Sequence, residues 1–119
     1  MNAEELAEPV DVARKSVDLL ADRQAEDVLL LDIRSVASFA DYFVIATATN
    51  SRHMRALAET LYKELPPKTG GKRHEGDTES GWILVDYSDV IVHLFSPEMR
   101  AHYALEDLWS EATQVVRMQ

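Results

Sequence analysis

The sequence predicts an α/β or α+β fold, a mixed sheet of four to five strands with helices packed on it. Three observations carry that prediction. Hydrophobic patterns of helical and strand period follow one another in the order helix, strand, strand, helix, short edge strand, strand, strand, helix, an order that a sheet layered with helices satisfies. Two runs, "DVLLLDI" and "YFVIATA", are apolar almost throughout, as strands covered on both faces are. Two more, "WILVDY" and "VIVHLF", flank a short polar turn and read as an antiparallel hairpin. The 119 residues are 46% hydrophobic and 28% charged, ordinary values for a single domain that buries its core without cross-links. That domain is expected to span residues 1–119, with 1–8 and 113–119 frayed.

The first helix is expected over Val10 to Arg23. Val10, Ala13, Val17 and Leu20 fall at offsets of three and four on one face, and Pro9 stands near the start, where its missing N–H costs little. Strands follow at Asp27–Ile33 and Tyr42–Ala48, where β-branched and aromatic residues gather. In the second helix Asn50 or Ser51 offers a cap, because a short side-chain oxygen accepts from the free N–H groups of the first turn. Met54, Leu57, Ala58, Leu61 and Leu65 make its apolar face, and Pro66-Pro67 ends it. The glycine-rich stretch "PPKTGGKRHEGDTESG" reads as a connection, with an edge strand near Lys72–Glu75. Within the hairpin, Trp82, Leu84 and Asp86 share one face and Ile83, Val85 and Tyr87 the other. Ser96, Pro97 and Glu98 are a helix start, and that helix is expected to run through Trp109.

Charge narrows the function. Twelve basic against 21 acidic side chains leave a net charge of −9. Phosphate backbones repel such a surface, so direct nucleic-acid binding is disfavoured, whereas a basic protein partner is favoured by complementary charge. There is no cysteine, which excludes disulfides, a thiol nucleophile and thiolate metal ligands and fits a reducing compartment. The first residues, "MNAEELAEPVD", are acidic, unlike a signal or transit peptide, and no apolar run reaches the ~18 residues of a membrane span. A cytoplasmic location without a membrane contact is expected.

The stretch from Trp82 to Trp109 holds Asp86, Asp89, His93, Arg100 and His102, a set that could suit a catalytic centre. Each member also has an ordinary reading. Asp86 and Asp89 stand three apart around a turn, where Asp bonds nearby backbone N–H groups; a partner contact or a divalent cation are the alternatives. His93 lies mid-strand, and its spacing from His74 and His102 matches no ligand pattern. No phosphate-cradling loop is present: "TATNS" suits capping better than an anion site. Trp82, Tyr87, Phe95, Tyr103 and Trp109 crowd one third of the chain. Trp109, Leu105 and Leu108 are expected in the core, and Trp82 and Tyr87, at strand ends, on the surface, where such residues anchor interfaces.

Taken in order, Asp41-Tyr42-Phe43-Val44-Ile45, Glu75-Gly76, Trp82, Asp86-Tyr87, Asp89, Val92-His93, Arg100, Tyr103, Leu105-Glu106 and Trp109 resemble the ribosomal silencing factor family, RsfS, also called Iojap-like. The resemblance spans nearly the whole domain. It implies a nucleotidyltransferase-like fold with no enzyme activity and no cofactor or metal. It further implies binding to the large ribosomal subunit at its protein number fourteen, which sterically blocks the small subunit and represses translation. A homodimer when free is implied as well. Carried over residue by residue, Trp82, Asp86, Tyr87, Asp89 and His93 form the docking patch, with Arg100 and Tyr103 in support. Trp82 and Tyr87 would supply apolar area, and the two aspartates would meet basic side chains. The turn reads Ser88-Asp89 where relatives often carry Gly. The alternative is a metal-dependent nucleotidyltransferase-type enzyme.

Overall fold

The computed structural model describes residues 8–65 and 73–118, with Arg73 and His74 described by their backbone alone. The elements are α1 (Pro9–Asp22), β1 (Glu26–Asp32), β2 (Tyr42–Thr47), α2 (Ser51–Glu64), β3 (Arg73–Asp77), β4 (Trp82–Asp86), β5 (Val90–Phe95), α3 (Pro97–Tyr103), α4 (Leu105–Leu108) and β6 (Thr113–Met118). They build one six-stranded sheet in the order β3-β4-β5-β2-β1-β6. Only β2 and β5 run parallel, and α2 with the β3–β4 hairpin forms the connection between them.

The sheet exceeds the expected four to five strands because the carboxy-terminal residues do not fray. Thr113–Met118 pairs antiparallel with β1 as an edge strand. At the other end Glu8 is the N-cap of α1; the rest of the expected amino-terminal fray, residues 1–7, lies outside the described residues, as do Pro66 and Pro67. The expected edge strand is present as β3. Where one helix was expected from Ser96 to Trp109, Ala104 adopts a left-handed φ of 45° and splits it into α3 and α4. A single residue in that conformation ends helical hydrogen bonding.

Two cores flank the sheet. On one face α1 and α2 bury Ala13, Val17, Leu20, Met54, Leu57, Ala58 and Leu61 against Val28, Leu30, Val44, Ala46, Ile83, Val85, Val92 and Leu94. The capping chemistry is as the sequence indicates: the Asn50 side chain accepts from His53 N–H at 2.8 Å and Ser96 Oγ from Met99 N–H at 3.2 Å. The opposite face is covered incompletely. Leu29, Leu31, Phe43, Ile45 and Phe95 form a smaller core, closed by Met99, Leu105, Trp109 and Ala112. Over β4 and its neighbour β3 that cover is missing, and Trp82, Leu84, Asp86 and Ile91 remain half-buried.

Candidate docking face

Pairing register decides which side chains share the open face. Trp82 stands opposite Phe95, Leu84 opposite His93 and Asp86 opposite Ile91; on the outer side Glu75 faces Leu84 and Asp77 faces Trp82. Directly opposed residues in an antiparallel pair project to the same side. The result is an apolar centre of Trp82, Leu84 and Ile91 with carboxylates along its margin.

Beneath it runs a continuous aromatic chain. Ring centroids step from Phe39 to Trp109 (5.9 Å), Phe43 (5.2 Å), His93 (4.7 Å), Trp82 (5.9 Å) and Tyr103 (4.7 Å). His93 is the buried hinge of this chain, 4% exposed. Its Nδ1 accepts from the Trp82 indole N–H at 3.3 Å. Accepting there requires the neutral ring with its proton on Nε2, and burial holds the ring neutral, with its pKa lowered to about 4. His93, expected in the docking patch, is buried and orients Trp82 from below.

Arg100 is likewise a brace. It is 7% exposed, and its guanidinium donates to the Asp27 carbonyl and Thr47 Oγ1 at 3.0 Å, to Asp27 Oδ2 at 3.3 Å, and from Nε to both Glu106 oxygens at 3.1 and 3.2 Å. Asp27 in turn receives a two-point contact from Arg117 at 3.0 and 2.9 Å. One guanidinium thus joins β1, β2, α3 and α4, and through Asp27 reaches β6. Its planar fork of donors is what makes so many simultaneous bonds possible.

Tyr87 corrects the sequence reading. It lies on the helical side of the sheet, buried, and its hydroxyl donates to the Leu61 carbonyl of α2 at 2.8 Å. Strand alternation carries it onward with Ile83 and Val85, so it cannot supply area to the opposite face. Burial also raises its pKa. Leu108, expected in the core, is 75% exposed, because α4 turns Leu105 and Trp109 inward instead. Tyr42 is buried. Of the seven expected contact residues, Trp82, Asp86, Asp89 and Tyr103 reach solvent. Asp86 also stabilises the turn, accepting from Ser88 N–H at 2.7 Å, and Ser88 itself takes a left-handed φ of 73°. The Asp89 carbonyl accepts from Asp41 and Tyr42 N–H at 2.8 and 3.1 Å, fixing the loop before β2 to the turn between β4 and β5. The sequence reading missed Leu84 and Ile91, although alternation from Trp82 and from His93 places both on this face.

Among the described residues, no three His, Asp or Glu side chains stand close enough together to hold a metal ion, and no helix is long and apolar enough to cross a membrane.

Fold and face together define an α+β domain whose sheet is left half-open on one side. A family model described as "Ribosomal silencing factor during starvation" matches residues 6–119. The chain belongs to that family of ribosome-associated regulators of translation, and its bacterial relatives named RsfS are named as silencing factors. It is 39% identical over 93 residues to the ribosomal silencing factor RsfS of Bacillus subtilis, covering 76% of this chain and 78% of the relative. It is 34% identical over 98 residues to "Mitochondrial assembly of ribosomal large subunit protein 1" of Mus musculus, covering 79% of this chain and 43% of that longer protein. A crystal structure of a Chromobacterium violaceum protein superposes with a TM-score of 0.80 at 26% identity, over 94% of this chain and 93% of that one.

Proposed function

We propose that this chain docks on the large ribosomal subunit through that subunit's protein number fourteen and sterically blocks joining of the small subunit, lowering translation. The observation that carries the reading is the half-open face: an apolar centre at Trp82, Leu84 and Ile91 beside Asp86, Glu75 and Asp77. Apolar anchors inside a charged margin are the usual make-up of a specific interface. Its sign is set by what surrounds it. Outside α1, α2 and the cap residue Arg23, the described lysine and arginine side chains are Arg34, Arg100 and Arg117, and each is tied to a carboxylate: Asp32, Asp27 with Glu106, and Asp27. Arg73 stands opposite Asp86 at this margin; the described side chains there, Glu75, Asp77 and Asp86, are acidic, and a basic ribosomal protein is their complement. Family membership and the large subunit in the name of the mouse relative support a partner on the large ribosomal subunit. The reading includes a cytoplasmic location and a homodimer when free, the latter checked by sedimentation velocity. No observation favours a nucleotide-transferring enzyme.

The test is to sediment the purified chain with separated large subunits and then add small subunits. Co-sedimentation with fewer joined ribosomes is expected, and Trp82→Ala or Asp86→Ala should weaken binding by about 1–3 kcal/mol. Absence of binding at micromolar protein in moderate salt would overturn the proposal.

A further inference from the structure

We infer that the groove between β3 and β4 is a slot for one lysine or arginine side chain of the docking partner. The inference rests on the docking reading above and adds the chemistry of a single partner residue. The groove has a volume of about 210 Å³ and is lined by Glu75, Gly76, Ser80, Trp82 and Leu84. Trp82 and Leu84 give it apolar walls. Its polar side-chain atoms are acceptors. The Ser80 hydroxyl proton already points to the Asp77 and Trp82 carbonyls, at 2.9 and 3.2 Å. The Trp82 indole N–H is turned inward to His93. The Glu75 carboxylate has no ion pair or hydrogen bond among the described residues.

An apolar channel ending in one unpaired carboxylate fits a side chain with a hydrocarbon stem and a cationic head. An aliphatic partner residue would leave Glu75 desolvated without compensation, and an acidic one would be repelled. The slot thus makes one carboxylate discriminate among partners, whereas the aromatic anchor beside it supplies area with little selectivity by charge.

The experiment measures binding to purified large subunits at two salt concentrations for the wild type, Glu75→Gln, Glu75→Lys and, as a control of equal charge change in α2, Glu59→Gln. Melting curves establish that each variant is folded. Glu75→Gln is expected to weaken binding about tenfold and Glu75→Lys about a hundredfold. Glu75→Gln should also flatten the salt dependence, and Glu59→Gln should stay within about twofold. Wild-type binding with Glu75→Gln within twofold and an unchanged salt slope overturns the slot and leaves the docking reading standing. Failure of the wild type to bind removes both.

Discussion

His93 gives the face a dependence on pH that can be worked out from its surroundings. The ring is buried, its Nδ1 accepts from Trp82, and burial lowers its pKa from 6.5 to about 4. A depressed histidine stabilises the fold while it is neutral in both states. As pH falls below 6.5 the unfolded chain binds a proton that the folded chain refuses until about pH 4, so stability is lost between those values and no further loss follows below them. Linkage puts that loss at about 2 kcal/mol by pH 5 and about 3 kcal/mol by pH 4. That is a large part of the ~5–15 kcal/mol that holds a domain of this size folded. The assay is urea unfolding from pH 7.5 to 4 for the wild type and His93→Gln. Glutamine does not titrate, and its carbonyl can still accept from the indole. The carboxylates and the other three histidines are common to both chains, so the difference curve isolates His93. It should fall between pH 6.5 and 4. Docking by the folded chain should hold through most of that window and weaken only near pH 4, where the ring gains its proton and offers Trp82 a donor where it needs an acceptor. Parallel curves down to pH 4.5 would refute the reasoning, since His93 would then titrate in the folded chain as it does in water.

Other expectations follow from single contacts. Tyr87→Phe removes a buried hydroxyl but leaves the Leu61 carbonyl bonded to Leu65 N–H at 3.0 Å. It should cost about 1 kcal/mol in denaturant titration and leave subunit binding unchanged; a fivefold loss of binding by the folded variant would return Tyr87 to the contact surface. Arg100→Met should cost about 2 kcal/mol, tempered by the partial exposure of Asp27 and Glu106. Arg100→Lys should restore less than half of that, because an ammonium lacks the fork; full rescue by lysine would show that charge alone matters there. At Gly76, φ is +85° and an added Cβ would overlap the Trp82 carbonyl oxygen. Gly76→Ala should therefore cost at least about 2 kcal/mol and open the β3–β4 ladder, read as faster amide exchange in those strands.

Local signals carried much of the architecture. Helical spacing marked the buried face of α2 residue by residue, and Asn50 and Ser96 cap where their chemistry says they should. Long-range pairing was not legible. β6 has only Val115 and Val116 half-buried, too weak a pattern to mark a strand. Its place comes from the edge of β1 and from Arg117 bonding Asp27, 90 residues away in sequence. The break at Ala104 has no glycine or proline to announce it. Tyr87 misled because its hydroxyl finds its acceptor 26 residues away, so a turn residue with a polar tip looked exposed. His93 and Arg100, carried into the docking patch and its support by the resemblance, are both buried.

These misreadings have a common cause, and it bears on why the face resembles a catalytic centre. A base, a cation and paired carboxylates gathered on one part of a sheet are what acid–base chemistry requires, but each group must also be free to reach a substrate. Here His93 Nδ1 is committed to Trp82, the Arg100 fork to Asp27, Thr47 and Glu106, and Asp86 to the backbone of its own turn. The same bonds hold the outer layer rigid. Trp82 has its indole anchored from below by His93 and its ring stacked on Phe95 at 5.2 Å, so little side-chain entropy remains to be lost when a partner lands on it. Preordered aromatic area is the form of surface that binds strongly for its size. Groups that would make a catalyst if they were free make a stiff, preordered surface when they are tied down.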